Sequence, residues 1–342
     1  MVFKVKIQAE KVTVIIPVFN EEKHIRRVLN SVISQDWDGF IEIVIVDGNS
    51  TDFTRKIIVE MKKGLPKNRN IILLQNPERF IPVSLNIACR NASSDIIVRL
   101  DGHTYAPANY VSEAVRTLKE INFNGIVGGR WKIKPGDSTS IAGAIAIAVS
   151  HPFGVGNALY RTLKDPSGQL LDVDTVPFGA FRKSLWEEMG GYDEYLLADE
   201  DYDFNYRVKK RGYRIVMNRH ILLEYVARPN SFSLWEQYYR YGFWVAKFFI
   251  KHKTIPTLRR LVPISFILTI FCLLLLNPKV SGGLLLIYLV PIVVTSLYEG
   301  VIRRKDILLT GWLFLTFPVL HFGYGVGNIA GLLTSFKPLK LN

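Results

Sequence analysis

The chain has 342 residues, a formal net charge of +13, 49% hydrophobic and 12% aromatic residues, and two cysteines. Mean hydropathy is +0.16, too high for an enzyme that faces water throughout, and Cys89 and Cys272 are too few for a disulfide framework or a thiolate metal site. No zinc-finger, RNP-type or basic-zipper spacing accompanies the charge, so the basic balance points to an anionic membrane surface or phosphorylated substrates rather than nucleic acid.

Met1 to Lys11 alternates charged and apolar residues without a long hydrophobic stretch. A cleaved signal peptide is therefore not expected, and the N-terminal domain is expected to stay in the cytoplasm. Val12 to Val18 is a short β-branched run closed by Asn20 and predicts a buried strand. Glu21 to Gln35 carries Ile25, Val28, Leu29, Val32 and Ile33 at helical spacing, with Glu21 and Glu22 in the expected first turn. Ile41 to Val46 predicts a second strand, and Ser50 is a candidate cap for a helix over Asp52 to Lys63. Strands over Ile71–Gln75 and Asp95–Leu100 follow, separated by a helix near Val83–Ala92. This alternation predicts an α/β fold with a mostly parallel sheet, whose ligands bind at the carboxyl ends of the strands.

Ile141–Val149 is apolar but shorter than the roughly 20 residues a bilayer span requires, and reads as a buried or interfacial helix. Trp235–Ile250 mixes aromatics with cations and predicts an interfacial amphipathic helix. Beyond it, spans are expected at about 261–276, 284–302 and 307–333, the last broken by Pro318 and several glycines. Arg259, Arg260, Arg303, Arg304 and Lys305 flank them in a positive-inside pattern, with Lys337 and Lys340 a mild departure. The expected organisation is a catalytic domain over 1–230, an interfacial region over 231–258 and a membrane region over 259–336, multi-pass in the cell membrane.

Three acidic clusters carry the candidate chemistry. Asp47-Gly48-Asn49-Ser50-Thr51-Asp52 follows a strand, where a carboxylate can accept from a nucleobase or ribose; a turn with a helix cap also explains Ser50 and Asp52. Asp101-Gly102-His103 sets an oxygen and a nitrogen ligand two apart on an extended segment. That pair suits Mn²⁺ or Mg²⁺ bridging a diphosphate, although a turn aspartate beside a surface histidine has the same sequence. Asp199-Glu200-Asp201-Tyr202-Asp203 precedes a helix ending near Arg211 and offers a base whose crowded neighbours raise its pKa; an acid-rich helix start is the plainer alternative.

Taken in order, Ile16-Pro17-Val18-Phe19-Asn20-Glu21-Glu22, the Asp47–Asp52 loop, Asp101-Gly102-His103, Gly190-Gly191-Tyr192-Asp193-Glu194 and Glu200-Asp201-Tyr202-Asp203 resemble the family-two glycosyltransferases of GT-A fold. Pro152-Phe153-Gly154-Val155-Gly156-Asn157 and the apolar tail narrow the likeness to the succinoglycan-type glucosyltransferases of polysaccharide assembly. The resemblance implies that Pro17, Phe19, Glu21 and Asp47 line a nucleotide pocket, that Asp101 meets ribose or metal, and that His103 stands where the family usually has a second metal-binding aspartate. It implies Asp201 as catalytic base with Glu200 at the substrate. Gln237-Tyr238-Tyr239-Arg240-Tyr241 is similar to a Q-x-x-R-W signature, so Gln237 and Arg240 are implied to bind substrate, Arg240 through the diphosphate. Gly48 stands where many relatives carry an acid, and a nitrogen ligand at His103 favours Mn²⁺ over Mg²⁺.

The implied reaction is an inverting transfer from a UDP- or GDP-sugar to a lipid-linked or polysaccharide acceptor at the cytoplasmic membrane face, among membrane lipids. A polyprenyl-phosphate sugar synthase and an inactive membrane scaffold are the alternatives.

Overall fold

The computed structural model describes residues 11–165, 167–168, 170–254 and 257–334. The leader expectation for Met1–Lys11, apart from Lys11, and the placing of Lys337 and Lys340 lie outside these residues. The strands are β1 (Val12–Val18), β2 (Ile41–Asp47), β3 (Arg69–Gln75), β4 (Ile96–Arg99), β5 (Thr104–Tyr105), β6 (Gly125–Lys134), β7 (Leu171–Asp172), β8 (Ala180–Arg182) and β9 (Arg214–Val226).

Every residue of β1 and β2 is buried, which is why both read as unbroken apolar runs rather than alternating ones. β3 is only half buried and closes one edge. The sheet runs β3-β2-β1-β4-β8-β6-β9-β5, with β7 paired to β9. β1 pairs in parallel with β2 and β4, and β2 with β3. The connections are the helices Ile25–Ile33, Thr54–Met61 and Ile81–Asn91. Ile25, Val28, Leu29 and Val32 form the buried stripe of the first, as their spacing predicts. Beyond β4 the sheet is extended by β8, which pairs antiparallel with both β4 and β6. The chain passes from β1 to β2 and β3 on one side and returns to β4 on the other. The carboxyl ends of β1 and β4 therefore flank a switch point, the place where open α/β sheets bind ligands.

Two of the sheet's loops are held by buried charges. Arg69 donates from Nε to the carbonyl of Ile33, from Nη1 to those of Gly39 and Asn68, and from Nη2 to those of Gln35 and Trp37, all at 3.0–3.1 Å. It thereby satisfies the turn that leads into β2. Glu42 accepts from Thr13 Oγ1 at 2.8 Å and from the Ser93 amide at 2.9 Å.

The chain divides into two compact units, Met1–Lys132 with Leu163–Tyr225, and Ile133–Thr162 with Val226–Asn342. The first unit ends at Tyr225 and leaves out 133–162, whereas the expected catalytic domain was continuous over 1–230. The apolar helix Ser140–Ala148 packs in the second unit, where Ala144, Ile147 and Ala148 cluster with Ile292, Leu309, Leu313 and Phe317. A helix apolar on every side has to be covered all round, and the C-terminal helices supply the cover.

Three expectations for the second unit change. Val262–Leu276 has 15 residues, about 22 Å of helix against a bilayer core of about 30 Å. Among the described residues two helices, Pro278–Arg304 and Ile307–Leu333, are long and apolar enough to cross a membrane, where three such segments were expected. Finally, the glycines of Ile307–Leu333 do not break it. They let the helix Ser231–His252 approach: a Cβ on Gly327 would sit 2.1 Å from the Tyr239 carbonyl oxygen, and one on Gly242 1.9 Å from that of Tyr324. One face of Ser231–His252 is thus occupied by protein. Lys247 on that face donates to the Thr334 carbonyl at 2.6 Å, capping the end of Ile307–Leu333.

Candidate active site

The site lies in the first unit, on the loops after β1, β2 and β4. β1 ends at Val18, paired with Asp47 at the end of β2. Gly48 packs against this turn, its amide donating to the Val18 carbonyl at 2.8 Å. Asn20 and Asn49 take φ values of 54° and 64°, a left-handed conformation asparagine tolerates better than most residues. Their side chains knit the rim: Asn20 Oδ1 accepts from the Thr51 amide, and Asn49 Oδ1 from Gln75 Nε2.

Asp47 is fully buried. Its carboxylate accepts from the Ser50 amide at 3.2 Å and from Arg55 Nη1 at 3.3 Å. In this arrangement Asp47 shapes the loop and turns no oxygen to solvent. Ser50 does not cap the next helix as expected. Its hydroxyl instead accepts from the Asn20 amide at 2.9 Å, joining the first two loops, while Asp52 accepts from the Thr54 amide at 3.0 Å. Pro17 is buried within β1, and Phe19 is 43% exposed at the rim, with the Arg79 guanidinium 5.6 Å from its ring.

Glu21 joins the first loop to the third. Its amide donates to Thr54 Oγ1 at 2.7 Å, and its Oε1 lies 2.8 Å from His103 Nδ1. Gly102 makes this possible, since a Cβ there would come within 2.9 Å of Glu21 Cγ. The edge of His103 meets Tyr225 at 5.8 Å, and Tyr225 stacks on Trp131 at 4.1 Å and 5°. A carboxylate and an aromatic wall thus fix the imidazole from two sides.

Asp101 is tied to the acidic cluster by Arg99, a residue the sequence reading passed over. Arg99 Nε donates to Asp101 Oδ1 at 3.1 Å and Nη2 to Glu200 Oε1 at 2.8 Å. Its signal was an arginine inside the otherwise apolar run Ile96-Ile97-Val98-Arg99-Leu100. Glu200 opens the helix Glu200–Lys210, preceded by Asp199 at φ 58°. Asp201 sits in its first turn, keeps a partly exposed edge, and lines a small cavity with Arg99, Tyr192 and Asn205. Burial raises the Asp201 pKa, Arg99 opposes the rise, and Asp199 and Asp101 add to it. Glu200 is also raised by burial, again against the pull of Arg99. Asp203 is bound elsewhere, to Arg207 at 2.7 Å.

Glu21 and His103 are therefore joined by one contact, and Asp101 and Glu200 by another through Arg99, with Asp201 lining the same small cavity as Arg99. Gln237 and Arg240 belong to the second unit. There Gln237 is buried and donates to Tyr241 Oη at 3.0 Å, and Arg240 is exposed. Gly190 and Gly191 form a turn with φ of 73° and 79°, and Trp186 and Tyr192 are core residues. Cys89 is buried, which pushes its thiol up to about 12 and leaves it inert.

A Rossmann-like, mostly parallel sheet with acidic residues on the loops beyond β1, β2 and β4 is the GT-A fold of glycosyltransferases. The chain belongs to glycosyl transferase family 2, whose sequence profile matches residues 13–189. It is 30% identical over 254 residues to the succinoglycan biosynthesis protein ExoA of Rhizobium meliloti, covering 74% of each chain. It is 27% identical over 329 residues to the dolichyl N-acetyl-alpha-D-glucosaminyl phosphate 3-beta-D-2,3-diacetamido-2,3-dideoxy-beta-D-glucuronosyltransferase of Methanococcus voltae, covering 94% of this chain and 98% of that one. In fold it matches the mannosyltransferase PcManGT of Pyrobaculum calidifontis, solved with GDP-Man and Mn²⁺, at a TM-score of 0.59 and 19% identity over 93% and 86% of the two chains. The protein is a transferase, and its relatives act on polysaccharide or lipid-linked substrates.

GT-A enzymes commonly use a divalent cation, and the donor atoms here allow the fit to be tested. Among the described residues no group of three or more His, Cys, Asp or Glu side chains is gathered. A hydrated cation that shares its shell with substrate phosphates needs only one or two protein ligands. The contact of His103 Nδ1 with Glu21 is the one that metal-ligating histidines make with their other nitrogen. Asp101 and His103 therefore fit.

Proposed function

We propose that the protein catalyses a single-displacement, inverting transfer of a sugar from a nucleotide-diphosphate donor to a hydroxyl of a lipid-linked or polysaccharide acceptor. The observation that carries this reading is Asp201, whose carboxylate has a raised pKa and lines one cavity with Arg99, itself ion-paired to Asp101 and Glu200. A base that works near neutrality needs such a shift.

The ends of β1 and β2 and the loops after them, with Pro17, Phe19, Glu21 and Asp47, form the nucleotide side of the site, with Phe19 as its exposed ring and Asp47 as the strut behind it. Asp101 and His103 would hold the divalent cation, and when bound it neutralises charge that builds on the departing diphosphate. Asp201 accepts the proton of the acceptor hydroxyl as the oxygen attacks the anomeric carbon. The bond from that carbon to the diphosphate oxygen breaks, and the configuration inverts. Glu200, ionically bound to Arg99, keeps the first turn of its helix in place. The nucleotide-sugar class is supported by GDP-Man in the mannosyltransferase relative, and the acceptor class by the succinoglycan and dolichyl relatives.

The helices Pro278–Arg304 and Ile307–Leu333 anchor the protein in this reading. Arg259, Arg260 and Arg303 to Lys305 at the ends of the apolar helices favour an anionic cytoplasmic leaflet, with the catalytic unit on that side. The test is Asp201→Asn, assayed by mass analysis of extracted lipid products together with nucleotide binding. Lost transfer with donor binding kept supports the reading. Full activity on polyprenyl phosphate would instead select an acceptor that needs no base.

A further inference from the structure

Arg99 is unusual for a strand residue. It is 3% exposed, and its guanidinium lies 5.9 Å from the rings of both Phe178 and Tyr192. It joins Asp101, two residues on, to Glu200, 101 residues on. Its third nitrogen, Nη1, is buried without a partner, and Arg99 lines the same small cavity as Asp201. A buried ion pair placed for stability alone is weakly motivated, because a well-packed apolar side chain often serves a strand better. A leftover buried donor makes it weaker still.

We propose that Arg99 is a positioning residue for the transfer step: one guanidinium ties the Asp101 loop to the first turn that carries Asp201, and so sets the base against the donor. The proposal rests on Asp201 as base. Three features favour it. The guanidinium fork reaches two carboxylates on different elements, which a lysine ammonium, a point charge, does not reproduce. The turn before Asp201 needs holding, since Asp199 is left-handed at φ 58°. The charged groups that act on Asp201 are Arg99, Asp199, Asp101 and its neighbour Glu200, and among these four Arg99 brings the positive charge. No chemistry is assigned to Arg99 itself.

The experiment compares Arg99→Lys, Arg99→Met, Glu200→Gln and the Arg99→Met/Glu200→Gln pair in the full-length protein. Each is measured for kcat, for the Kd of a nucleoside diphosphate with Mn²⁺, for thermal stability, and for the acid limb of the pH profile. Arg99→Lys should lower kcat roughly 10²-fold, the cost of a misplacement near 1 Å, while the nucleotide Kd changes by less than about threefold. In Arg99→Met the acid limb should move to higher pH, because Asp201 loses its neighbouring positive charge. If Arg99→Met folds poorly, the paired variant relieves the uncompensated Glu200. Stability regained with kcat still low supports positioning, and kcat returning with stability overturns it. A folded Arg99→Lys with kcat within about threefold of the parent also overturns it, as do equal losses in kcat and nucleotide affinity. Turnover retained by Asp201→Asn strikes the base assignment instead, so the two failures are distinguishable.

Discussion

The two units solve the problem of close approach with opposite residue types. In the first, buried charges hold loops onto a sheet: Arg69 gathers five backbone carbonyls, and Arg99 joins two carboxylates. In the second, the absence of side chains does the work, with Gly242 and Gly327 letting two long helices meet backbone to backbone. The difference follows from the partners. Loops expose polar backbone that must be satisfied where water is excluded. Helices satisfy their own backbone and gain from approaching closely through small residues.

If that contrast is right, substitutions in the two units should fail differently. The largest effect is expected at Asp201→Asn, with kcat down by roughly 10²–10⁴-fold, the range of a general base. Because burial disfavours the Asp201 carboxylate, the neutral amide should not lower the melting temperature at pH 7. The same shift has a sign in the rate. Below its raised pKa Asp201 holds a proton and cannot act as base, so the acid limb of kcat/KM should lie above the ordinary aspartate value of about 3.9. A limb at or below that value would contradict the environment described for Asp201.

Next in size is Arg69→Met, which strips five carbonyls of their donor and should cost about 3 kcal/mol or more in denaturant unfolding of the sheet unit. Gly242→Val should cost about 1–3 kcal/mol, as overpacking does, and should be read in detergent as loosening of the helical unit with the sheet unit intact. Equal unfolding of both units in either variant would blur the comparison. Smallest of all, Cys89 should resist maleimide labelling at pH 7 in the folded protein, its thiol standing near 12.

Much of the fold was legible because its elements are local. β1 and the stripe of the first helix follow from unbroken apolar runs and from 3.6-residue spacing. The order of acidic motifs likewise placed Asp47, Asp101, His103 and Asp201 on loops that follow strands or open a helix. Less legible was anything that depended on a partner distant in sequence. Ser50 has the look of a helix cap, yet its hydroxyl receives Asn20 from another loop. Asp47 has the look of an exposed binding group, yet Ser50 and Arg55 enclose it. The glycines of Ile307–Leu333 look like breaks until a second helix is laid against them.

The sequence by itself determined the strand and helix periods, the family, and the residue types that chemistry requires, since each of these is written in short stretches of chain. Only the tertiary structure decided that Arg99 joins Asp101 to Glu200, that Glu21 faces His103, and that Ser140–Ala148 belongs with the C-terminal helices. The physical reason is one of range. Propensity and patterning act between near neighbours, whereas the partner of a buried charge or an apolar helix is chosen by whichever segment folding brings into reach.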